Sequence, residues 1–195
     1  MEQSRRLVLA STSKYRKALL ERLGLAFEVA GPGIDEAPLA GEAPQDTALR
    51  LSILKARAPA ARFRDALIIG SDQVAASGSM RLDKPGTHAG AVRQLRSLSG
   101  QAADFYTAVT LLDARSGDTQ SRVVRCRVVF RPLDERRIES YLRREQPYDC
   151  AGSAKSEGLG IALIARMETD DPTSLIGLPL IALTELLERA GLPVV

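Results

Sequence analysis

The stretch RLVLASTSKYRKALLERLGLAFEVA, residues 6–30, changes its period twice, and those changes decide the fold class. In its opening run, RLVLA (6–10), the four residues after Arg6 are continuously apolar, which suits a short buried strand. From Ser11 the pattern becomes helical, with Ala18, Leu19, Leu20 and Leu23 recurring at helical spacing. Ser11 or Ser13 is placed to cap that helix, and Gly24 suits the position just past its end. FEVA (27–30) then predicts a second strand. A strand, a helix and a strand within 25 residues point to an α/β domain.

The same alternation continues outward. GPGIDEAPLAGEAP (31–44) is a Gly/Pro loop, and Pro44 opens a helix presenting Ala48, Leu51, Leu54 and Lys55 before Pro59 ends it. ALIIGSDQVAA (66–76) predicts a strand, and Thr87 a cap for a helix over 88–98 closed by Gly100. Two longer strands, 102–113 and 119–130, flank the turn RSGD. In the second, Val124, Cys126, Val128 and Phe130 alternate with Arg125, Arg127 and Val129, the pattern of a half-exposed strand. Asp134 should cap the helix ERRIESYLRRE. After a polar loop at 146–160, IALIARME (161–168) predicts a strand and LPLIALTELLERAG (178–191) a final amphipathic helix. With no repeat and no linker, residues 1–195 are expected to form one α/β domain with a mixed sheet.

Composition bounds the function. The chain has 195 residues, 45% hydrophobic and 26% charged, which is ordinary for a globular protein. No apolar run approaches the roughly 20 residues of a membrane span. The start, MEQSRRLVLASTSKYR, lacks the long apolar stretch and cleavage site of a signal peptide, so a cytoplasmic location is expected. Cys126 and Cys150, with His88 as the only histidine, make neither a disulfide framework nor a zinc site. A net charge of +3 is too small to indicate nucleic acid, and no membrane partner is expected. Of 27 basic residues only five are lysine: Lys14, Lys17, Lys55, Lys84 and Lys155. In so arginine-rich a chain, lysine suits places where a compact ammonium meets a phosphate, as in the loops LDKPG and GSAKSEGLG.

Several chemistries are excluded. The chain has no G-x-x-x-x-G-K-[ST] loop, no G-x-G-x-x-G fingerprint and no G-x-S-x-G elbow. Ser71 has no histidine to activate it, and His88 stands at a helix start. What remains is carboxylates with Lys and Arg in loops that follow strands, a vocabulary suited to metal-assisted chemistry on phosphates. Asp72 stands out because it interrupts an apolar strand, where an unpaired carboxylate costs several kcal/mol to bury. Ser11, Thr12 and Ser13 stand beside a helix N-terminus with Arg16 and Lys17. Asp35 and Glu36 occupy the loop IDEAP, Lys55 lies on a helix, Gln73 follows Asp72, and Lys84 lies in DKPG.

In this order the segments resemble the Maf family of nucleotide pyrophosphatases over nearly the whole chain. LASTSKYRKALLERLGL looks like the family's L-A-S-x-S-P-x-R-x-x-L-L signature, with Lys14 where the family usually has Pro. DE (35–36), K-A (55–56), IIGSDQV (68–74), DKP (83–85), LSG (98–100) and GLPL (177–180) follow in family order. The resemblance implies a twisted central sheet flanked by helices with an active-site cleft, like that of inosine triphosphatases. It implies hydrolysis of a nucleoside triphosphate to the monophosphate and pyrophosphate with Mg²⁺ or Mn²⁺. Asp72 would be the proton acceptor. Glu36, with Asp72, would serve the metal, and Ser11, Arg16, Lys55 and Lys84 would line the triphosphate. Tyr15, Gln73 and Glu157 match the branch acting on 7-methyl-GTP rather than the one acting on dTTP and UTP. Tyr15 would face the cationic methylated base. Glu157 would accept from guanine N1–H and its amino group, and Gln73 would supply another contact. The expected partner is therefore a small nucleotide. A homodimer is suggested by the resemblance alone, and the alternatives are a dTTP/UTP pyrophosphatase of the same family or a nucleotide-binding regulator of cell division without turnover.

Overall fold

A computed structural model describes residues 5–195; Met1–Ser4 of the N-terminal stretch read above lie outside the described residues. Seven strands form one sheet: β1 (Leu7–Leu9), β2 (Glu28–Val29), β3 (Leu67–Ser77), β4 (Met80–Arg81), β5 (Ala102–Asp113), β6 (Thr119–Phe130) and β7 (Ile164–Glu168). Their order is β2-β1-β3-β5-β6-β7, with β4 paired to β3. β1 pairs in parallel with both β2 and β3, whereas β3–β4 and β6–β7 are antiparallel, so the sheet is mixed as expected. The helices are α1 (Lys14–Glu21), α2 (Pro44–Arg57), α3 (His88–Leu98), α4 (Glu135–Glu145) and α5 (Leu180–Arg189). None of them is long and apolar enough to cross a membrane.

Within the chain read above as one domain, two compact units are distinguished. The first comprises 1–73, 107–124 and 171–195, and the second 74–106 and 125–170. The first unit is built around β1 and the N-terminal part of β3, whose apolar residues are buried on both faces. Leu7, Leu9, Leu67 and Ile69 join Leu19 and Leu20 of α1 and Leu183, Leu186 and Leu187 of α5 in one core. Val8 and Ile68, one step out of phase, join Ala56 of α2 and Phe63 in another. The register pairs Leu7 with Leu67, Val8 with Ile68 and Leu9 with Ile69, which keeps each set on its own face.

In the second unit, α3 buries Ala91, Val92, Leu95 and Leu98, and α4 buries Ile138, Tyr141 and Leu142. β6 supplies buried Cys126, Val128 and Phe130, the alternation expected of it. Cys126 and Cys150 are not joined by a disulfide, and burial pushes the Cys126 thiol up to about 11. Ser13, Thr87 and Asp134 cap α1, α3 and α4 through their side chains.

Two expectations change. Residues 161–163, expected to begin a strand, belong to a 3₁₀ turn over Leu159–Leu163, and β7 starts only at Ile164. The cause is the packing of the preceding loop: a Cβ on Gly160 would lie 2.5 Å from the Lys155 carbonyl oxygen, which already accepts from Gly160 N–H. Ser77–Met80 also closes a hairpin onto β4, with Gly78 at φ +59° in the turn.

Candidate functional site

The alternation of β3 sorts the site's residues between two faces. Ile68, Gly70 and Asp72 share the face that carries α2, and Ile69, Ser71 and Gln73 share the other. At Gly70 the approach of α2 is extreme. A Cβ there would lie 2.1 Å from the Ser52 carbonyl oxygen and 2.5 Å from Ala56 N. Gly70 therefore makes room for the α2 backbone, not for the carboxylate beside it.

That approach delivers Lys55, the neighbour of Ala56, onto Asp72. Lys55 Nζ donates to Asp72 Oδ1 at 2.6 Å, and the side chains are only 5% and 8% exposed. The same ammonium lies 2.9 Å from Oε1 of Glu36, whose side chain is 55% exposed. A lysine that could have been a solvated helix residue is thus the buried centre of a carboxylate–ammonium–carboxylate bridge. It supplies the compensation that a buried Asp72 requires.

The opposite face of β3 is tied to the segment before α5. Ser71 Oγ donates to the Gly177 carbonyl at 3.0 Å, and Arg16 Nε donates to the same oxygen at 2.8 Å. Gln73 Nε2 lies within 2.9 Å of Thr107 Oγ1 and of the Ser174 carbonyl, and 3.1 Å from the Leu175 carbonyl. The amide hydrogens of Gln73 are therefore committed to protein acceptors. Burial lowers the pKa of the Arg16 guanidinium, while Asp72 and Glu36 pull it the other way.

Asp171 and Thr173, which the sequence reading did not single out, build this segment. Buried Asp171 accepts from Thr173 N and Oγ1 at 3.0 and 2.6 Å and from Ile181 N at 2.7 Å. Thr173 Oγ1 accepts in turn from Leu180 N at 2.8 Å. Together they satisfy the first N–H groups of α5, and Asp-Pro-Thr before an apolar run is the signal that could have disclosed it.

At the start of α1, buried Ser11 turns its Oγ to accept from Ser13 N at 3.1 Å, and Ser13 Oγ caps Arg16 N at 3.4 Å. Tyr15 is half-buried, and Lys14 Nζ stands 4.9 Å from its ring centroid. The departure from Pro at position 14 therefore bears on the aromatic face of Tyr15 as well as on helix entry.

The first unit thus brings together Ser11, Tyr15, Arg16, Glu36, Lys55, Asp72 and Gln73, whereas Lys84 and Glu157 are exposed residues of the second unit. Lys155 is committed structurally, its ammonium 2.9 Å from Glu145 Oε1. Among the described residues no group of three or more His, Cys, Asp or Glu is arranged to hold a metal. Asp72 and Glu36 nevertheless converge on the Lys55 ammonium with hard oxygen donors. That suits Mg²⁺ or Mn²⁺, which need only one or two carboxylates when substrate phosphates complete the shell.

A family model described as "Maf-like protein" matches residues 6–190. A protein of Thiobacillus denitrificans named 7-methyl-GTP pyrophosphatase is 60% identical over 188 residues, covering 96% of this chain and 94% of its own length. One of the same name from Cupriavidus pinatubonensis is 58% identical with the same coverage. The solved Ham1 protein of Staphylococcus aureus aligns with 64% of this chain and 71% of its own at 14% identity and a TM-score of 0.45, too loose a likeness to argue from.

Proposed function

The chain belongs to the Maf family of Maf-like proteins, and from that membership we propose that it hydrolyses 7-methyl-GTP to 7-methyl-GMP and pyrophosphate. The observation that carries the reading is the buried Asp72–Lys55 pair. One oxygen of Asp72 is held by the ammonium, so the carboxylate is fixed in place and keeps acceptor capacity for a water. Water oxygen bonds to the α-phosphorus as the bond from that phosphorus to the bridging oxygen breaks. The water's proton passes to Asp72, and pyrophosphate departs. Lys55 and Arg16 place cationic charge where negative charge grows on the leaving group. Ser11 hydroxyl, at the start of α1, supports a phosphate oxygen.

Glu36 and Asp72 are the residues that would hold Mg²⁺ or Mn²⁺, which when bound supplies charge neutralisation on the phosphates. Tyr15 offers its ring to the cationic base, in competition with Lys14. Gln73, with its amide hydrogens spent, offers its carbonyl oxygen to donors on guanine. Lys84 and Glu157 carry their proposed contacts to phosphate and base as separate claims. Two cysteines not joined by a disulfide and a nucleotide substrate suit the cytoplasm.

Pyrophosphate release from a panel of 7-methyl-GTP, GTP, dTTP and UTP with Mg²⁺ or Mn²⁺ tests the proposal. 7-Methyl-GTP should be the preferred substrate, and Asp72→Asn should slow release by about 10²–10⁴-fold, the usual contribution of a general base. Release that survives the substitution would remove Asp72 from the reaction. The Tyr15→Arg/Glu157→Gln pair should move preference towards the pyrimidine triphosphates. Unchanged selectivity in that pair would refute the assigned base readers.

A further inference from the structure

The second unit contains a cleft of about 690 Å³ that the proposed reaction does not use. It lies along α4, and its lining includes four arginines: Arg131, Arg136, Arg137 and Arg144. Its volume falls within the range of small-molecule sites. Tyr141 and Leu163, both buried, contribute apolar lining.

Arginines elsewhere in the chain are widely paired with carboxylates: Arg5 with Asp113, Arg50 with Glu42, Arg96 with Glu135, and Arg125 and Arg127 with Asp104. The four of the cleft form no ion pair among the described residues. The acids of α4 that could have neutralised them are engaged elsewhere. Glu135 pairs with Arg96, Glu139 with His88 and Arg143, and Glu145 with Lys155. The one acid in the lining is Asp134, whose Oδ1 accepts from the Arg137 backbone N–H as the helix cap. Arg137 Nη1 donates to the Pro132 carbonyl, which steadies its fork without consuming its charge.

Spacing along the helix narrows the ligand. Arg136 and Arg144 lie two turns apart, about 12 Å at the rise of an α-helix. A polyphosphate chain carrying a nucleoside spans that separation and offers oxygens to more of the four forks than a single phosphate does. Guanidinium forks bind such oxygens bidentately, and the apolar lining suits a base.

We propose that this cleft is a second, non-catalytic site for a nucleoside polyphosphate. Binding of α,β-methylene-GTP, of pyrophosphate and of inorganic phosphate to the whole protein is to be measured by calorimetry. Asp72→Asn protein and an Arg136→Ala/Arg144→Ala variant are titrated in parallel. Wild type and Asp72→Asn should take up two equivalents of α,β-methylene-GTP, and the double-arginine variant one, with its turnover of 7-methyl-GTP unchanged. Inorganic phosphate should bind the cleft at least about tenfold more weakly. Arg136→Lys/Arg144→Lys, which keeps charge without the fork, should weaken the second equivalent and serves if the alanine variant does not fold. The proposal adds to the catalytic reading, and because the arginine variant is read against wild type, the loss of one equivalent, from two to one or from one to none, reports the cleft even if the catalytic proposal fails. Equal uptake by wild type and the double-arginine variant, or loss of an RNA oligonucleotide's binding rather than the nucleotide's in the variant, would overturn the assignment.

Discussion

Two lysine–carboxylate pairs, one in each unit, look alike in distance and differ in what surrounds them. Lys155 reaches Glu145 at 2.9 Å, and the second carboxylate oxygen of Glu145 accepts the Leu159 N–H at 2.7 Å. A Cβ on Gly158 would lie 2.6 Å from that carboxylate, so the loop wraps it closely. The Leu159 bond and the Lys155 ammonium hold the Glu145 carboxyl below the usual range, and Glu145 raises Lys155. Lys55 reaches Asp72 at 2.6 Å and is shared with exposed Glu36, without a comparable backbone donor closing over Asp72. The first pair has both carboxylate oxygens bonded and fastens a loop. The second is equally charged but keeps acceptor capacity in reserve, which is what a reaction needs.

That contrast can be broken by removing each lysine. Lys55→Met should be the most damaging change. It leaves Asp72 buried without its counter-ion, a loss of about 3–5 kcal/mol, and should abolish pyrophosphate release. Urea unfolding and an activity assay together check this. Gly70→Ala should follow at about 3 kcal/mol, the upper range for overpacking. Because it pushes α2 off β3, its activity should fall further than that of an equally destabilised core variant. Lys155→Met should cost only about 1 kcal/mol, since Glu145 keeps the Leu159 bond, with turnover unchanged. If Lys155→Met silences turnover as Lys55→Met does, the distinction between the pairs is wrong.

The smallest effect concerns acid. Arg50 first, then Thr47 and the Leu39 N–H, hold the Glu42 carboxyl down to about 2 from its ordinary 4.5. A depressed carboxyl contributes stability that is complete above its unfolded value and lost as pH falls through the folded one. Thermal midpoints should therefore decline between about pH 4.5 and 2, and Glu42→Gln should flatten that decline.

Much of the fold was legible because its signals are local. The caps at Ser13, Thr87 and Asp134 and the alternation in 119–130 each depend on a few adjacent residues. The hairpin onto β4 escaped because a two-residue strand has no period to detect. Lys55 showed its chemistry only through its order among the family's motifs, since its burial comes from a glycine 15 positions later in the chain. Lys155 illustrates the converse, a scarce lysine in a small-residue loop whose charge turns out to be spent on Glu145. Asp171 was missed because its work is done through backbone N–H groups ten residues on, a distance at which local pattern carries no instruction.

The carbonyl of Gly177 has a temporal meaning as well as a spatial one. It anchors Ser71 and, across 161 positions of sequence, Arg16. During synthesis Arg16 emerges first and waits for its anchor until the 161st residue after it has been added. A growing polypeptide can form the Lys55–Asp72 bridge long before it can seat the arginine. Chains stopped before Gly177 would thus hold an acid and a lysine in place and still lack the fastened cation, so competence waits on a residue 161 positions after the arginine it seats.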